Sequence, residues 1–312
     1  MRIFISFLSI MVSSSVFASS LQADSYKVKQ VAEGIFYHQG SHEEADAENL
    51  GAIANVGFII GEQCIAVIDS GGSFQEGKLL RKVIRQHSDL PICYVINTHV
   101  HPDHVLGNAA FNTDKPEFVG HEKLPAAMAS RQQHFARQFS EILGDAYEGT
   151  EFIFIEAKTL VKVGSSLTLE LGNRPLILTA FTTAHTDHDL TVYDEKTSTL
   201  WTGDLLFVER IPALDGSING WIDALETLVE CNAAMIVPGH GTAFTGEQSE
   251  GWQDLLRYLT TIREEIRVII NDMGTIEQAI NSVGTQEAEK WKLFEEYHRR
   301  NITAAFVELE WE

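Results

Sequence analysis

The chain is short of cysteine and of positive charge, and it has almost no long apolar run. Three cysteines, Cys64, Cys93 and Cys231, stand in 312 residues. That is too few for a disulfide framework, and none lies in a ligand-like motif. Cys64 and Cys93 fall in strand-like apolar runs and read as small buried hydrophobes. Lysine and arginine number 23 against 44 acidic residues, a net charge of −21. Nothing supplies the cation cluster that phosphate neutralisation needs, which excludes nucleic acid as a partner. An anionic membrane surface is excluded on the same ground, and the acidic surface serves solubility. Beyond the first residues, no run is long and apolar enough to cross a bilayer.

The amino terminus is the exception. Met1-Arg2-Ile3-Phe4 gives a positive start and an apolar run to about Val12. Val16-Phe17-Ala18 then sets small residues at the −3 and −1 positions of a cleavage after Ala18. This is the pattern of a secretory signal peptide over residues 1–18, too short and wrongly flanked for a membrane span. The mature chain is therefore expected to be exported and, in a Gram-negative cell, periplasmic. Its length allows one large domain, or one domain and an extension.

What the chain does have is a cluster of imidazoles. Thr98-His99-Val100-His101-Pro102-Asp103-His104 follows the β-branched and apolar run 92–96. In an extended segment alternate side chains share a side, so His99 and His101 can reach one metal. Pro102 turns the backbone and lets Asp103 and His104 face a second position. A catalytic zinc takes three protein ligands and keeps a fourth position for water. Four candidates are too many for one open site and too few for two.

Three later positions complete the set. His185 lies in Ala184-His185-Thr186-Asp187-His188-Asp189, Asp204 in Trp201-Thr202-Gly203-Asp204, and His240 in Pro238-Gly239-His240-Gly241. Each follows a short strand-like run, and strand ends in short loops are where a rigid scaffold presents chemistry. A carboxylate has two oxygens and can span metals ~3.5–4 Å apart. Neutral imidazoles suit zinc, and no thiolate biases the set toward copper or iron–sulfur. The nitrogen–oxygen set also admits iron or manganese.

These motifs, in this order over residues 26 to 245, resemble the metallo-β-lactamase superfamily. Its signature is His-x-His-x-Asp-His followed by a lone His, an Asp and a final His. The resemblance implies two Zn2+ ions: His99, His101 and His185 hold one, Asp103, His104 and His240 the other, and Asp204 bridges them. It further implies a metal-bridging hydroxide as nucleophile, with Asp103 passing a proton to the leaving group. Asp69, in Asp69-Ser70-Gly71-Gly72, would support the metal loop from behind; the alternative is a plain turn carboxylate. Strands followed by helices, twice over, fit an α/β fold, a four-layer αββα sandwich. It would span residues 19–246, with residues 247–312 a C-terminal helical extension packed on it. The acidic loop 41–49 stands where the superfamily holds a flap over the metals; the alternative is a surface hairpin with no substrate role.

Three departures bear on substrate. Lactamases of the superfamily generally carry Cys or Ser where Asp204 stands, whereas Asp is typical of its thioester and lactone hydrolases. His188 is an extra histidine, either structural or in contact with substrate. The stretch Trp201 to Trp221, with Phe207-Val208-Glu209-Arg210-Ile211-Pro212, is similar to the quinoprotein relay system zinc metallohydrolases, which implies a periplasmic quinoprotein partner. Arg210 either docks a substrate carboxylate or pairs with Glu209 or another acid. His121 and His134 read as ordinary structural or surface histidines. The sequon Asn301-Ile302-Thr303 lies in a helical stretch and carries no weight.

The expected function is an exported dinuclear zinc hydrolase of an ester, thioester, lactone or amide bond in a small molecule or peptide. Two alternatives stay open: a β-lactamase, and a low-activity metal-binding accessory protein of a quinoprotein dehydrogenase.

Overall fold

The computed structural model describes residues 26–312 apart from 154 and 156–158. The signal-peptide reading of residues 1–18 lies outside the described residues. So does part of a strand expected over 152–157, whose described members belong to no strand.

The first half builds a seven-stranded sheet. β1 (Lys29–Ala32) and β2 (Ile35–His38) form a hairpin that turns at Gly34, whose φ of +68° favours glycine. β3 (Val56–Ile60) and β4 (Ile65–Ile68) are buried almost throughout, which is why they read as unbroken apolar runs. α1 (Phe74–His87) starts at Ser73, whose hydroxyl accepts from the Glu76 amide at 3.1 Å, and carries Arg85 and His87 in its last turn. β5 (Ile92–Ile96) leads to the one-turn helix α2 (Pro102–Val105), then a 3-10 segment over 108–114. Pro102, with its fixed φ, suits the first position of this turn. β6 (Glu117–His121), α3 (Leu124–Leu143) and β7 (Leu160–Val161) follow. The strands lie in sequence order, antiparallel from β1 to β4 and parallel from β4 to β7.

The second half builds a six-stranded sheet from β8 (Ser166–Glu170), β9 (Pro175–Ala180), β10 (Leu190–Asp194), β11 (Thr199–Phe207), β12 (Met235–His240) and β13 (Phe244–Thr245). Only β11 and β12 pair in parallel, joined by the crossover helix α4 (Ile218–Val229). Then come α5 (Glu250–Asn271), α6 (Ile276–Ser282) and α7 (Phe294–Leu309). The last part of the helical extension is not one continuous helix. A 3-10 segment covers 285–290, and Leu293 takes a left-handed φ of +59° before α7 begins.

Three apolar contacts stack these parts into an αββα sandwich. Leu80, Val83 and Ile84 of α1 pack on Phe58, Val67 and Val95 of the first sheet. Ile59, Ile68 and Ile96 meet Leu178, Val192 and Trp201 between the sheets. Trp221 of α4, Leu255 and Ile262 of α5, and Ile302 and Phe306 of α7 enclose Leu200 and Leu205 on the outer face of the second sheet. The carboxy-terminal helices are thus part of one outer layer with α4. A buried strut links the sheets: Arg174 donates to the carbonyls of Glu33 and Ile60, each at 2.8 Å, and to Asp194 at 2.7 and 3.0 Å.

One expectation is corrected. Cys64 and Cys93 are not independent buried hydrophobes but a disulfide, with Cα atoms 5.8 Å apart. The parallel register that pairs Ile65 with Ile92 sets the two cysteines side by side. Cys231 is free and exposed.

Candidate metal centre

Both sheets deliver side chains to one edge of the sandwich. His99 and His101 sit in the loop after β5, where the Asn97 and Asn108 carboxamides exchange hydrogen bonds of 3.1 and 2.7 Å. Asp103 and His104 lie on the single turn of α2. His185 stands in the loop after β9, and His240 ends β12. Asp204 lies within β11, which runs on to Phe207 rather than stopping near Thr202. Gly203 beside it has φ +52°, and a Cβ there would come 2.7 Å from the Thr98 side chain. That close approach brings Asp204 up against the first histidine loop.

All seven side chains named from sequence converge. His99, His101, His185 and Asp204 form one group that could hold an ion, and Asp103, His104 and His240 form another. Asp204 lies between them. Its Oδ2 is 3.6 Å from His99 Nε2, 3.5 Å from His185 Nε2 and 3.3 Å from His240 Nε2. Its Oδ1 is 3.1 Å from His104 Nε2. Asp103 Oδ2 lies 3.4 Å from His240 Nε2.

The outward nitrogens fix which inward nitrogens carry lone pairs. His185 Nδ1 donates to the Ala213 carbonyl at 2.6 Å and His240 Nδ1 to the Ile53 carbonyl at 2.8 Å, since a carbonyl can only accept. Thr98 Oγ1 gives its proton to Asp69 at 2.7 Å, so at 3.1 Å it accepts from His99 Nδ1. His104 Nδ1 faces Asp69 Oδ2 at 2.8 Å, and His101 Nε2 faces Asp215 Oδ2 at 3.3 Å. Five imidazoles so arranged turn their other ring nitrogens inward. His101 Nδ1 is 3.1 Å from His99 Nε2 and 3.0 Å from His185 Nε2. His104 Nε2 and Asp204 Oδ1 are buried without a hydrogen bond. Such atoms call for a cation, so the donor set fits metal.

Electrostatics agree. Burial pushes His99 well below the ordinary histidine range and His185 down to about 3, keeping both neutral as ligands must be. Burial also opposes charge on His104, but Asp204, Asp103 and Asp69 outweigh it and hold its basicity well above normal. Burial raises Asp204, yet the surrounding imidazoles, His240 foremost, bring it well below the carboxylate range. The pocket thus favours positive charge at the Asp204–His104 position.

The remaining sequence candidates take distinct places. Asp69, at φ +54°, accepts from the Thr98 amide at 2.8 Å and faces His104, and so braces the 98–104 segment. His188 is buried beside Thr186 Oγ1 at 2.9 Å and lies outside the cavity lining. Arg210 is buried but does not pair with Glu209, whose partner is Lys292 at 2.7 Å. Arg210 instead donates to the Glu43 carbonyl at 3.2 Å and Tyr297 Oη at 3.1 Å, and lies 3.8 Å from Glu44. The acidic loop 41–49 is thereby held at the rim. His121 binds the Phe181 carbonyl at 3.1 Å and belongs to neither ligand group.

A cavity of about 430 Å³ opens over Asp103, Asp204, His101 and His240. Its walls include His134, read from sequence as unremarkable, and Tyr297, Arg300 and Asn301 of α7. Sequence reasoning passed over Asp215, the Ile53 and Ala213 carbonyls, and the α7 side chains. Only Asp215, an acid near the Arg210 stretch, left any trace that could have been read.

A family model described as the metallo-beta-lactamase superfamily matches residues 51–240. The chain belongs to this superfamily. No curated sequence matches it. Several solved structures share the superfamily fold with it. TMB-1 is 19% identical with a TM-score of 0.54, covering 75% of this chain and 98% of its own. The metallo-β-lactamase from Pontibacter korlensis is 17% identical with a TM-score of 0.56, covering 74% and 98%. A double mutant of the sec-alkyl sulfatase PisA1 is 14% identical with a TM-score of 0.65, covering 88% of this chain and 48% of its own. The chain thus spans about half of that sulfatase. These likenesses establish the superfamily's fold in this chain. No helix among the described residues is long and apolar enough to cross a membrane.

Proposed function

We propose that this chain is an exported hydrolase that holds two zinc ions and cleaves an ester, thioester, lactone or amide bond. The observation that carries the reading is Asp204, whose two oxygens lie 3.1–3.6 Å from the inward nitrogens of four histidines. His99, His101 and His185 would hold one ion and Asp103, His104 and His240 the other, with Asp204 lying between the two groups. Bound there, the ions supply a water acidified to near-neutral pH and a positive field over the cavity floor.

The chain's own residues do the rest. The Ile53 and Ala213 carbonyls, Asp69 and Asp215 fix the imidazole rings. Asp103, only 14% exposed at the cavity floor, carries a proton from water to the leaving atom. Water's oxygen joins the acyl carbon, the carbon–heteroatom bond breaks, and the leaving group departs protonated. Among the residues the proposal gives a role, none is a serine, cysteine or lysine nucleophile.

The Cys64–Cys93 bridge supports export, because disulfides persist in oxidising compartments. A link to a periplasmic quinoprotein pathway rests on the stretch Trp201 to Trp221, and an Asp at position 204 puts ester and lactone chemistry ahead of β-lactams.

Elemental analysis together with assays on nitrocefin and an ester, thioester and lactone panel tests the reading. About two zinc ions per chain are expected, with ester or lactone turnover lost in a folded His101→Ala variant. Efficient nitrocefin cleavage with inert esters would reverse the order of substrates. Two iron ions per chain, or quinoprotein co-purification that survives His101→Ala without any turnover, would overturn it.

A further inference from the structure

The cavity over the metal centre is built unevenly. On one side, Arg131, Phe135, Gln138, Phe139 and Ile142 of α3 line it. Their spacing of four, three, one and three residues places them on one helical face. Phe135, Phe139 and Ile142 are only half-buried. Phe135 meets Phe139 edge-on at 6.3 Å and stacks on Phe152 at 6.5 Å, which makes a fixed aromatic wall. On the other side, two guanidinium groups approach the Tyr297 ring, Arg210 at 5.5 Å and Arg300 at 6.0 Å from its centre.

Charge is uneven as well. Setting aside Asp103 and Asp204, three arginines on the cavity face two carboxylates, Glu44 and Asp215. Arg131 lies 3.4 Å from Asp215, and Arg210 lies 3.8 Å from Glu44. Exposed Arg300 has no carboxylate partner among the described residues. In a chain of net charge −21, this mouth thus presents one arginine beyond those facing Glu44 and Asp215. A cation left without a carboxylate at the mouth favours an anion there in the occupant, and an aromatic wall selects an apolar body.

Resting on the hydrolase reading, we infer that the substrate is an amphiphilic anion: an acyl compound with an apolar arm and a terminal oxyanion. Its scissile bond lies over Asp103 and Asp204, its arm runs along the α3 face, and its anionic end meets Arg300, with Arg131 deeper in the cleft. Hydrolysis adds one water across the acyl bond, so no further reactant is needed. Arg300 is here a specificity-determining residue.

Two series of matched compounds test this with the zinc-loaded protein. One comprises esters, thioesters and amides ending in a carboxylate or in its carboxamide counterpart; the other comprises their uncleavable ketone analogues for calorimetry. The carboxylate members are expected to bind and turn over about tenfold better. Arg300→Gln is expected to cut that preference roughly fivefold, and Arg300→Lys to restore part of it. Each added methylene should raise kcat/KM about two- to fourfold until the arm outgrows the wall. Equal affinity for carboxylate and carboxamide analogues overturns the inference, as does a preference undiminished in Arg300→Gln. Selective binding of the analogues with no member of the cleavable series turned over leaves the inference standing and overturns the hydrolase reading instead.

Discussion

Asn301 clamps Leu214. The carboxamide oxygen on α7 accepts from the Leu214 amide at 2.9 Å, and its nitrogen donates to the Pro212 carbonyl at 2.7 Å and faces Tyr258 Oη at 3.0 Å. Between those two anchored residues lies Ala213, whose carbonyl orients His185. A buried side chain near the end of the chain therefore sets the direction of a ligand in the middle of it.

Asn301→Ala leaves the Leu214 amide and the Pro212 carbonyl without their partner, at a cost of roughly 1–3 kcal/mol each. Because the loss falls on the support of His185, zinc affinity is expected to drop about 10- to 100-fold. Denaturant unfolding of the metal-free protein and competition with a chelating dye read the two effects separately. Lower stability with unchanged zinc affinity would reduce Asn301 to a packing residue.

Asp204→Asn keeps the shape but removes the charge that both donor groups share. Bound zinc is expected to fall from two ions per chain to one or fewer by elemental analysis, and turnover to fall by at least a hundredfold. Two ions retained in this variant would remove Asp204 from its bridging role.

Glu287 offers a pH test away from the metal centre. It is buried beside Arg257 at 3.0 Å, Lys290 at 2.6 Å and the Trp291 indole at 3.1 Å. Burial alone would raise its carboxyl, but these partners bring it down to about 2. A depressed carboxylate contributes stability above its unfolded value of about 4.5 and loses it as pH falls toward 2. Glu287→Gln is expected to cost about 1–2 kcal/mol at neutral pH and to flatten the stability profile between those pH values. An unchanged slope would place the acid sensitivity elsewhere.

Reducing the Cys64–Cys93 bridge frees a loop with a sequence separation of 29 residues. Chain-entropy reasoning gives a loss of about 3–4 kcal/mol. Tm measured with and without reductant should differ in the native chain and coincide in a Cys64→Ser, Cys93→Ser double variant.

The parts of the centre that could be read from sequence share one property: their identity is carried by side chains. His99, His101, Asp103, His104, His185, Asp204 and His240 fall in short motifs after apolar runs, so chemistry and position were visible together, and the alternation of strands and helices gave the four layers. The Ile53 and Ala213 carbonyls orient two histidines through backbone atoms that every residue possesses. Asn301 stood in a helical stretch far from every ligand motif, and only the packing of α7 brings it to Pro212 and Leu214. The Cys64–Cys93 pair required the parallel register of β4 and β5, which strand composition does not encode. Arg210 was noticed, but its partner depended on where the 41–49 loop comes to rest.

That resting place has a consequence. With the Glu43 carbonyl hydrogen-bonded to Arg210 and Glu44 beside it, the acidic loop is moored to the same arginine that contacts Tyr297 of α7. Lifting it means unfastening a guanidinium at the edge of the protein interior, whereas the half-buried face of α3 needs no such release. Molecules entering the cleft should therefore come in past Phe135 and Phe139, with the opposite bank staying still.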